Sequence, residues 1–324
     1  MTFNPSPANS SRAGWSPAAS ILREMLADQQ KVIVCPGVYD GLTARIMLRE
    51  GFDCLSMTGA GTAASAIGYP DLALVTQTEM HQNAAMLASI ASSLSPLSNS
   101  RPVPLIADAD TGFGSPINIV RTVSMYINSN VAAFHIEDQV LAKRCGHLQN
   151  KALVGFEEWV TRIRAAAHTR AQMGRDIVII ARTDALQSLG YDEALRRSRA
   201  AVDAGADVAF LEGFDTREQA RQFCKEMFPT PVLLNMVPGG VSPLLTVDEA
   251  KDIGARILIY PLLALSPVYN AVTAAAKKLK DTGETDCLVN GTSGGVRDIF
   301  GVCGMHECVE VDKIVGGGSY ESGI

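Results

Sequence analysis

Eight short apolar runs alternate with helix-period segments along 324 residues, and this predicts an α/β fold of the (β/α)8 TIM-barrel class. An N-terminal helix should precede the barrel and a helical extension should follow it. About eight β–α repeats in this length point to a closed barrel, with a doubly wound sheet as the alternative. Several helix segments end on glycine just before the next strand run, at Glu50-Gly51, Ala204-Gly205 and Ile253-Gly254, which is ordinary helix C-capping. A doubly wound nucleotide-binding sheet would carry GxGxxG in its first strand-to-helix turn, and the glycine-rich stretch Thr58-Gly59-Ala60-Gly61 lacks the third glycine at the right spacing.

Residues 1–15 read as a flexible arm, rich in serine and proline. Ser16-Pro17 reads as an N-cap with proline at the first helical position, opening a helix to Asp28. Strands are expected at Val32–Cys35, Cys54–Met57, Val103–Ala107, Ala132–Ile136, Ile177–Ala181, Val208–Leu211, Val232–Leu234 and Ile257–Tyr260. The helices between them are Gly41–Glu50, Gln77–Ala91, Pro116–Ile127, Glu157–Met173, Asp192–Ala204, Arg217–Glu226 and Val247–Ile253, and a last one runs from Pro267 to Lys280. Ser92–Arg101 is a polar surface loop. The barrel domain therefore spans 16–280. Residues 281–324 form a C-terminal extension with short helices at Val296–Val302 and Glu307–Val311, and a tail beyond a complete barrel is expected to pack on a partner subunit.

Composition narrows the function classes. Hydrophobic residues make up 47% and charged residues 19%, a globular balance. The net charge of -6 and the absence of a dense Lys/Arg run speak against nucleic acid. No apolar run is long enough to span a membrane. The seven cysteines are scattered and odd in number, which suits reduced thiols in the cytoplasm. The N-terminus lacks a signal peptide's apolar region, while its serines and Arg12 leave organelle targeting open.

In such a barrel, chemistry gathers at the C-terminal ends of the strands. Strand two leads to Thr58, Gly59 and Ala60, strand three to Asp108 and Asp110, and strand four to Glu137 and the loop Lys143-Arg144-Cys145-Gly146-His147. Strand five leads to Arg182, strand six to Glu212 and strand seven to Asn235. Cys145 lies between cations and a Gly-His pair, so its thiolate should be favoured and its pKa lowered, making it a proton donor or a nucleophile. Asp108 and Asp110, two apart, share a face if extended. At about 6 Å they would repel by roughly 3 kcal/mol at an effective dielectric near 20. A shared Mg2+ or Mn2+ removes that cost, and Glu137 could join through water; the alternative is that Asp108 only caps a turn. Arg182 either takes a substrate carboxylate or pairs internally with Asp184 or Glu212. Residues 58–61 offer backbone N–H groups to an anion, or form a tight turn. The tail segment CGMHEC (Cys303, His306, Cys308) fits no standard closed zinc site.

The runs GFDCLSMTGAGTAAS, GYPDLALVT, DADTGFG, IEDQ, KRCGH, ARTDA, LEG and NM, in this order over about residues 30–280, resemble the isocitrate lyase / phosphoenolpyruvate mutase superfamily. The resemblance is strongest to its short lyase branch of 2-methylisocitrate, 2,3-dimethylmalate and oxaloacetate-cleaving enzymes. It implies a Mg2+-dependent carbon–carbon lyase or hydrolase acting on a small 2-hydroxy or 2-oxo di- or tricarboxylate, usually a homotetramer (a dimer of dimers). It implies direct metal binding by Asp108, water-mediated binding by Asp110 and Glu137, and Asp71 in the outer shell. Cys145 would be the acid on a mobile loop, with Lys143, Gly146 and His147 around it. Thr58, Gly59 and Ala60 would bind one substrate carboxylate, with Arg182, Glu212 and Asn235 at the other end.

Two departures stand out. Lyase members carry Tyr, and phosphonomutases Trp, where this chain has Ser56, with Tyr39 and Tyr69 as stand-ins. Pro238 occupies a position where Glu is usual, removing a charge and a backbone donor. The alternatives are a phosphonomutase or phosphonopyruvate hydrolase, against which the loop cysteine speaks, and a diverged member with a dehydratase-like or non-catalytic binding role.

Overall fold

The computed structural model describes residues 17–92, 102–284 and 295–320. The expected arm at 1–15, most of the polar loop at 92–101, and parts of the C-terminal extension lie outside them.

Eight parallel strands close into a barrel in sequence order, β1 Ile33–Val38, β2 Leu55–Met57, β3 Leu105–Asp108, β4 Ala133–Glu137, β5 Val178–Thr183, β6 Val208–Leu211, β7 Val232–Asn235 and β8 Ile257–Tyr260. Closure is the β1–β8 ladder, with Ile33 opposite Ile257 and Cys35 opposite Ile259. The helices are α1 Ala18–Ala27, α2 Gly41–Arg49, α3 Gly59–Ala66, α4 Gln77–Ser92, α5 Pro116–Asn128, α6 Phe156–Met173, α7 Ala185–Leu189, α8 Tyr191–Asp203, α9 Arg217–Met227, α10 Val247–Asp252 and α11 Leu265–Thr282. The extension adds α12 Val296–Val302 and α13 Met305–Ile314.

Strand pleating sorts the core. Ile33, Cys35, Cys54, Ile106, Val178, Ile180, Val208, Phe210, Leu233, Ile257 and Ile259 fill the bore, and Leu22 of α1 joins them. The intervening residues of β3 to β5, such as Leu105, Ala107, Phe134, Ile136, Ile179 and Ala181, pack outward on the helices. At α1, Arg23 forks onto Asp176 (Nε–Oδ2 2.5 Å, Nη2–Oδ1 2.9 Å) and reaches Asp207 at 3.1 Å.

Four expectations change. The N-cap of α1 is Pro17, not Ser16, which lies outside the described residues. Strand β1 continues through Pro36 and Gly37 to Val38. Gly37 permits this because a Cβ there would come within 2.6 Å of the Pro261 and Tyr260 backbone. Residues 59–61 are not a tight turn but the first turn of α3, capped by Thr58, whose hydroxyl accepts the Gly61 N–H. The short helix α7 is additional; at five residues it is too brief to show a periodicity.

Candidate active site

Continuing the inward parity of each strand brings its last residues to the top of the bore. There Asp108, Glu137, Arg182, Glu212 and Asn235 converge, all buried. Asp108 ends β3. Its Oδ2 accepts the Gly59 N–H (3.1 Å) at the start of α3, its Oδ1 accepts the Asp110 N–H (2.9 Å), and Tyr126 Oη donates to its carbonyl (2.6 Å). A Cβ on Gly59 would fall 2.4 Å from Asp108 Oδ2, so this contact requires glycine. Burial opposes the Asp108 charge, but His135, Lys143 and the Asp110 N–H outweigh it and hold the carboxyl below its usual range. His135, whose Nδ1 lies 3.4 Å from Asp108 Oδ1, is itself pushed down by burial, against the pull of Asp108. Lys143 and Arg182 supply the fixed positive charge.

Asp110 does not share an extended face with Asp108. Its φ is 45°, in the left-handed region, and the cation beside it is Lys143, whose Nζ lies 2.6 Å from Oδ1 and also pairs with Asp71. That Oδ1 is buried, and the Lys143 ammonium is its partner. Burial pushes the Asp110 carboxyl up to about 7, with Asp108 and Asp71 adding to the rise and Lys143 opposing it. Glu137 Oε1 accepts Gln139 Nε2 at 2.8 Å, its Oε2 is 3.4 Å from Arg182 Nε, and burial raises it well above its usual range.

Arg182 makes the expected internal pair and also faces the cavity. It forks onto Asp184 (2.9 and 3.1 Å), approaches Glu212 (3.6 Å), lies over the Phe210 ring, and still lines the cavity. Glu212 is fully buried, yet Arg182 and His147 overcome that burial and draw it down to about 2. Asn235 Nδ2 donates to Glu212 Oε2 at 3.1 Å, while its Oδ1 has no partner.

The loop after β4 closes over this cluster. Cys145 lines the cavity, and Gly146 lies so close beneath it that a Cβ would be 2.1 Å from Arg182 Nη2. The Cys145 thiol is pushed up by burial, with Asp71 and Glu212 adding to the rise, which reverses the expected lowering. The cations that flank it in sequence do not solvate it: Lys143 is committed to Asp71 and Asp110, and Arg144 is exposed. A protonated thiol suits an acid better than a nucleophile. His147 bridges two segments. Its Nδ1 accepts the Val241 N–H (3.1 Å), so Nε2 is the nitrogen free to donate to Glu212 Oε1 (3.1 Å).

The polar wall of the cavity is Ser56, Thr58, Ala60, Asp71, Asp108, His135, Cys145, Gly146, Arg182 and Asn235; Met57, Val237, Ile259, Pro261 and Leu262 form an apolar side. The tyrosine stand-ins fail, since Tyr39 is buried beside Gly61, Tyr69 is largely exposed, and neither lines the cavity. Pro238 removes nothing from the site: it is exposed in a turn closed by Gly240 N–H to Val237 O, with Gly239 at φ 73°. Cys303 and Cys308 are exposed. Among the described residues no group of three or more His, Cys, Asp or Glu is arranged to hold a metal ion.

Two contributors escaped the sequence reading. Gln139 clamps the loop by accepting the Arg144 N–H and donating to the Arg144 carbonyl, and it lies two residues past Glu137, where strand parity would have found it. Lys151 reaches in from the far end of the loop, and no local pattern signals it.

A thiol on a loop, closed over carboxylates, a guanidinium and an amide at the C-terminal face of a (β/α)8 barrel, is the setting of an enzyme site. Residues 22–280 match the family model described as phosphoenolpyruvate phosphomutase. The chain belongs to the PEP mutase/isocitrate lyase superfamily. It is 40% identical over 267 residues to 2,3-dimethylmalate lyase of Eubacterium barkeri, covering 82% of this chain and 88% of the relative. It is 36% identical to 2-methylisocitrate lyase of Aeropyrum pernix, with coverages of 81% and 80%. An oxaloacetate acetylhydrolase structure in complex with 3,3-difluorooxalacetate superposes with a TM-score of 0.88 at 48% identity, covering 94% of this chain and 99% of that one. A phosphonopyruvate hydrolase complex with oxalate and Mg++ represents the phosphorus–carbon branch, at TM-score 0.77 and 27% identity, with coverages of 95% and 100%. No helix among the described residues is long and apolar enough to cross a membrane.

Proposed function

We propose that the chain is a divalent-cation-dependent carbon–carbon lyase that cleaves a small 2-hydroxy or 2-oxo dicarboxylate. The observation that carries this reading is the placement of the Cys145 thiol, which burial pushes toward its protonated form, on the same cavity as Arg182, Asn235 and Asp108. Arg182 and Asn235 take one substrate carboxylate, and the first turn of α3, at Thr58, Gly59 and Ala60, receives the other. The apolar side made by Val237, Ile259 and Leu262, with Ser56 leaving room where a tyrosine would stand, suits an alkyl-substituted acid over a bare one.

The donor set suits a hard cation. It is all oxygen, and it carries more carboxylates (Asp71, Asp108, Asp110 and Glu137) than cations (Lys143 and Arg182). Asp108 would hold Mg2+ directly, with Asp110 and Glu137 acting through water and Asp71 beyond them. Few direct protein ligands is the habit of Mg2+, and Mn2+ suits the same donors. The bound cation supplies Lewis-acid stabilisation of the charge that develops on oxygen beside the breaking bond. In a 2-hydroxy acid, or in the hydrate of a 2-oxo acid, the hydroxyl gives its proton to a carboxylate of the cluster as its carbon–oxygen bond becomes a carbonyl and the neighbouring carbon–carbon bond breaks. Closure of 143–147 excludes bulk water, and Cys145 gives its proton to the carbon that leaves with the electron pair. Lys143, from the same loop, neutralises Asp71 and Asp110 as the loop closes.

The unburied face of α11 supports a homo-oligomer, in the form of a dimer of dimers, and a free thiol acid suits the reducing cytoplasm. The test is a thermal-shift screen of malate, isocitrate and oxaloacetate derivatives with Mg2+. A diacid that stabilises the protein only with the cation, and is then cleaved, is expected. Stabilisation by none of them from folded, Mg2+-loaded protein would sink the reading.

A further inference from the structure

The Cys145 loop is held by groups that the bond-breaking chemistry does not use. Lys151 lies six residues past the thiol, and its side chain is 1% exposed. Its Nζ donates to the Gly146 carbonyl at 2.6 Å and to Asp184 Oδ1 at 2.7 Å. Asp184 is the same carboxylate that accepts the Arg182 fork, and its backbone N–H is fixed by Asp138 Oδ1 at 2.9 Å. Gly146 is buried, so its carbonyl needs a donor, and the donor comes from outside the five-residue loop. The two flanks are tied separately. Gln139 holds Arg144 on one side, and Val241 holds His147 on the other.

We propose that Lys151 is a positioning residue that joins the backbone beside Cys145 to the carboxylate-binding Arg182, through Gly146 O and Asp184. A buried lysine needed only for packing would require acceptors but not these two. One belongs to the loop and the other to the residue that orients the Arg182 guanidinium. While the tie is made, the thiol stands over the end of the cavity where the carboxylate binds. When it is broken, the loop is anchored only at its flanks and the thiol is exposed to solvent. This inference rests on Cys145 being the acid, but its primary test needs no turnover.

The test compares wild type with Lys151→Met and Lys151→Gln, using peptide-resolved alkylation by iodoacetamide. Cys145 is expected to alkylate about tenfold faster in Lys151→Met, as local opening exposes it, and less fast in Lys151→Gln, which keeps one hydrogen bond. Buried Cys35 and Cys54, and exposed Cys303 and Cys308, should keep their wild-type rates. With a diacid that is turned over, kcat should fall while KM stays near wild type. A Cys145 rate within about twofold of wild type in both folded variants overturns the proposal. So does a rise shared with Cys35 and Cys54, which would mean general loosening, and so does failure of both variants to fold, which would assign Lys151 to overall stability. Faster alkylation of Cys145 without turnover of any diacid would leave the positioning role standing and remove the lyase reading instead.

Discussion

At the scale of single residues, the account turns on the state of one thiol. Sequence neighbours predicted a lowered Cys145 pKa, and burial raises it because Lys143 spends its charge on Asp71 and Asp110. The pH dependence of Cys145 alkylation should therefore have a midpoint above the free-cysteine value of about 8.5. A midpoint near neutrality would return Cys145 to the role of thiolate nucleophile. As an acid it is ionised, and inactive, only as pH rises through that raised value, so cleavage should hold through neutral pH and fall on the alkaline side. Cys145→Ser keeps the size and loses the thiol proton; a kcat loss of roughly 10²–10⁴-fold with an unchanged melting curve is expected from product assays. Most of the site was legible in the sequence at this scale, because a strand's inward parity carries past its end: Val178, Ile180 and Arg182 lie in one row, as do Val208, Phe210 and Glu212. What could not be read was pairing between segments. Nothing near Lys151 in sequence names Gly146 O or Asp184, and nothing near Lys143 says that it will turn from Cys145 to Asp110.

At the scale of elements, the strands and the long helices matched their sequence patterns to within a few residues, and the misses have physical causes. The strand expected to end at Cys35 runs on through Pro36-Gly37, where Tyr260 and Pro261 approach too closely for any side chain at 37. Helix α3 is made of Gly, Ala, Ser and Thr, without the apolar spacing that announces a helix, and its Thr58 cap is the local sign of it. The loop element is tested by Gly146→Ala. Its Cβ would meet Arg182 Nη2 and Glu212, so the loop cannot seat, and kcat should drop by about 100-fold while the fold is kept. At the other end of the barrel, α1 is fastened by Arg23 on Asp176. The hydrogen bonds from Arg23, against partial burial, hold the Asp176 carboxyl below its usual range. A depressed folded pKa contributes stability that is full above the unfolded value of about 3.9 and is lost as pH falls through the lower folded value. Because the pair is about one-third exposed, Asp176→Asn should cost roughly 0.5–1 kcal/mol at pH 7 by denaturant titration, and the deficit should shrink below about pH 4.

At the scale of the whole molecule, the barrel is self-sufficient and its C-terminal helix is not. None of the 18 residues of α11 is buried, and Val268, Val272 and Leu279 share one of its faces. Light scattering is expected to give a tetramer, and Val272→Glu should shift it to a smaller species; a monomeric wild type would contradict the oligomer proposal. The sequence announced the barrel because eight strand runs and their helices repeat one local pattern. It announced the extension only as surplus length, because α12 and α13 are short and repeat no β–α pattern. The proposed reaction breaks a carbon–carbon bond using a cation and the Cys145 proton. The most direct measurement is product analysis by nuclear magnetic resonance, with the diacid selected by thermal shift and Mg2+ present. The account predicts two smaller acids in equal amounts, with formation stopped by EDTA, restored by excess Mg2+, and absent in Cys145→Ser. Equal rates in EDTA or in Cys145→Ser, or an intact diacid after prolonged incubation with folded, Mg2+-loaded protein, would contradict it.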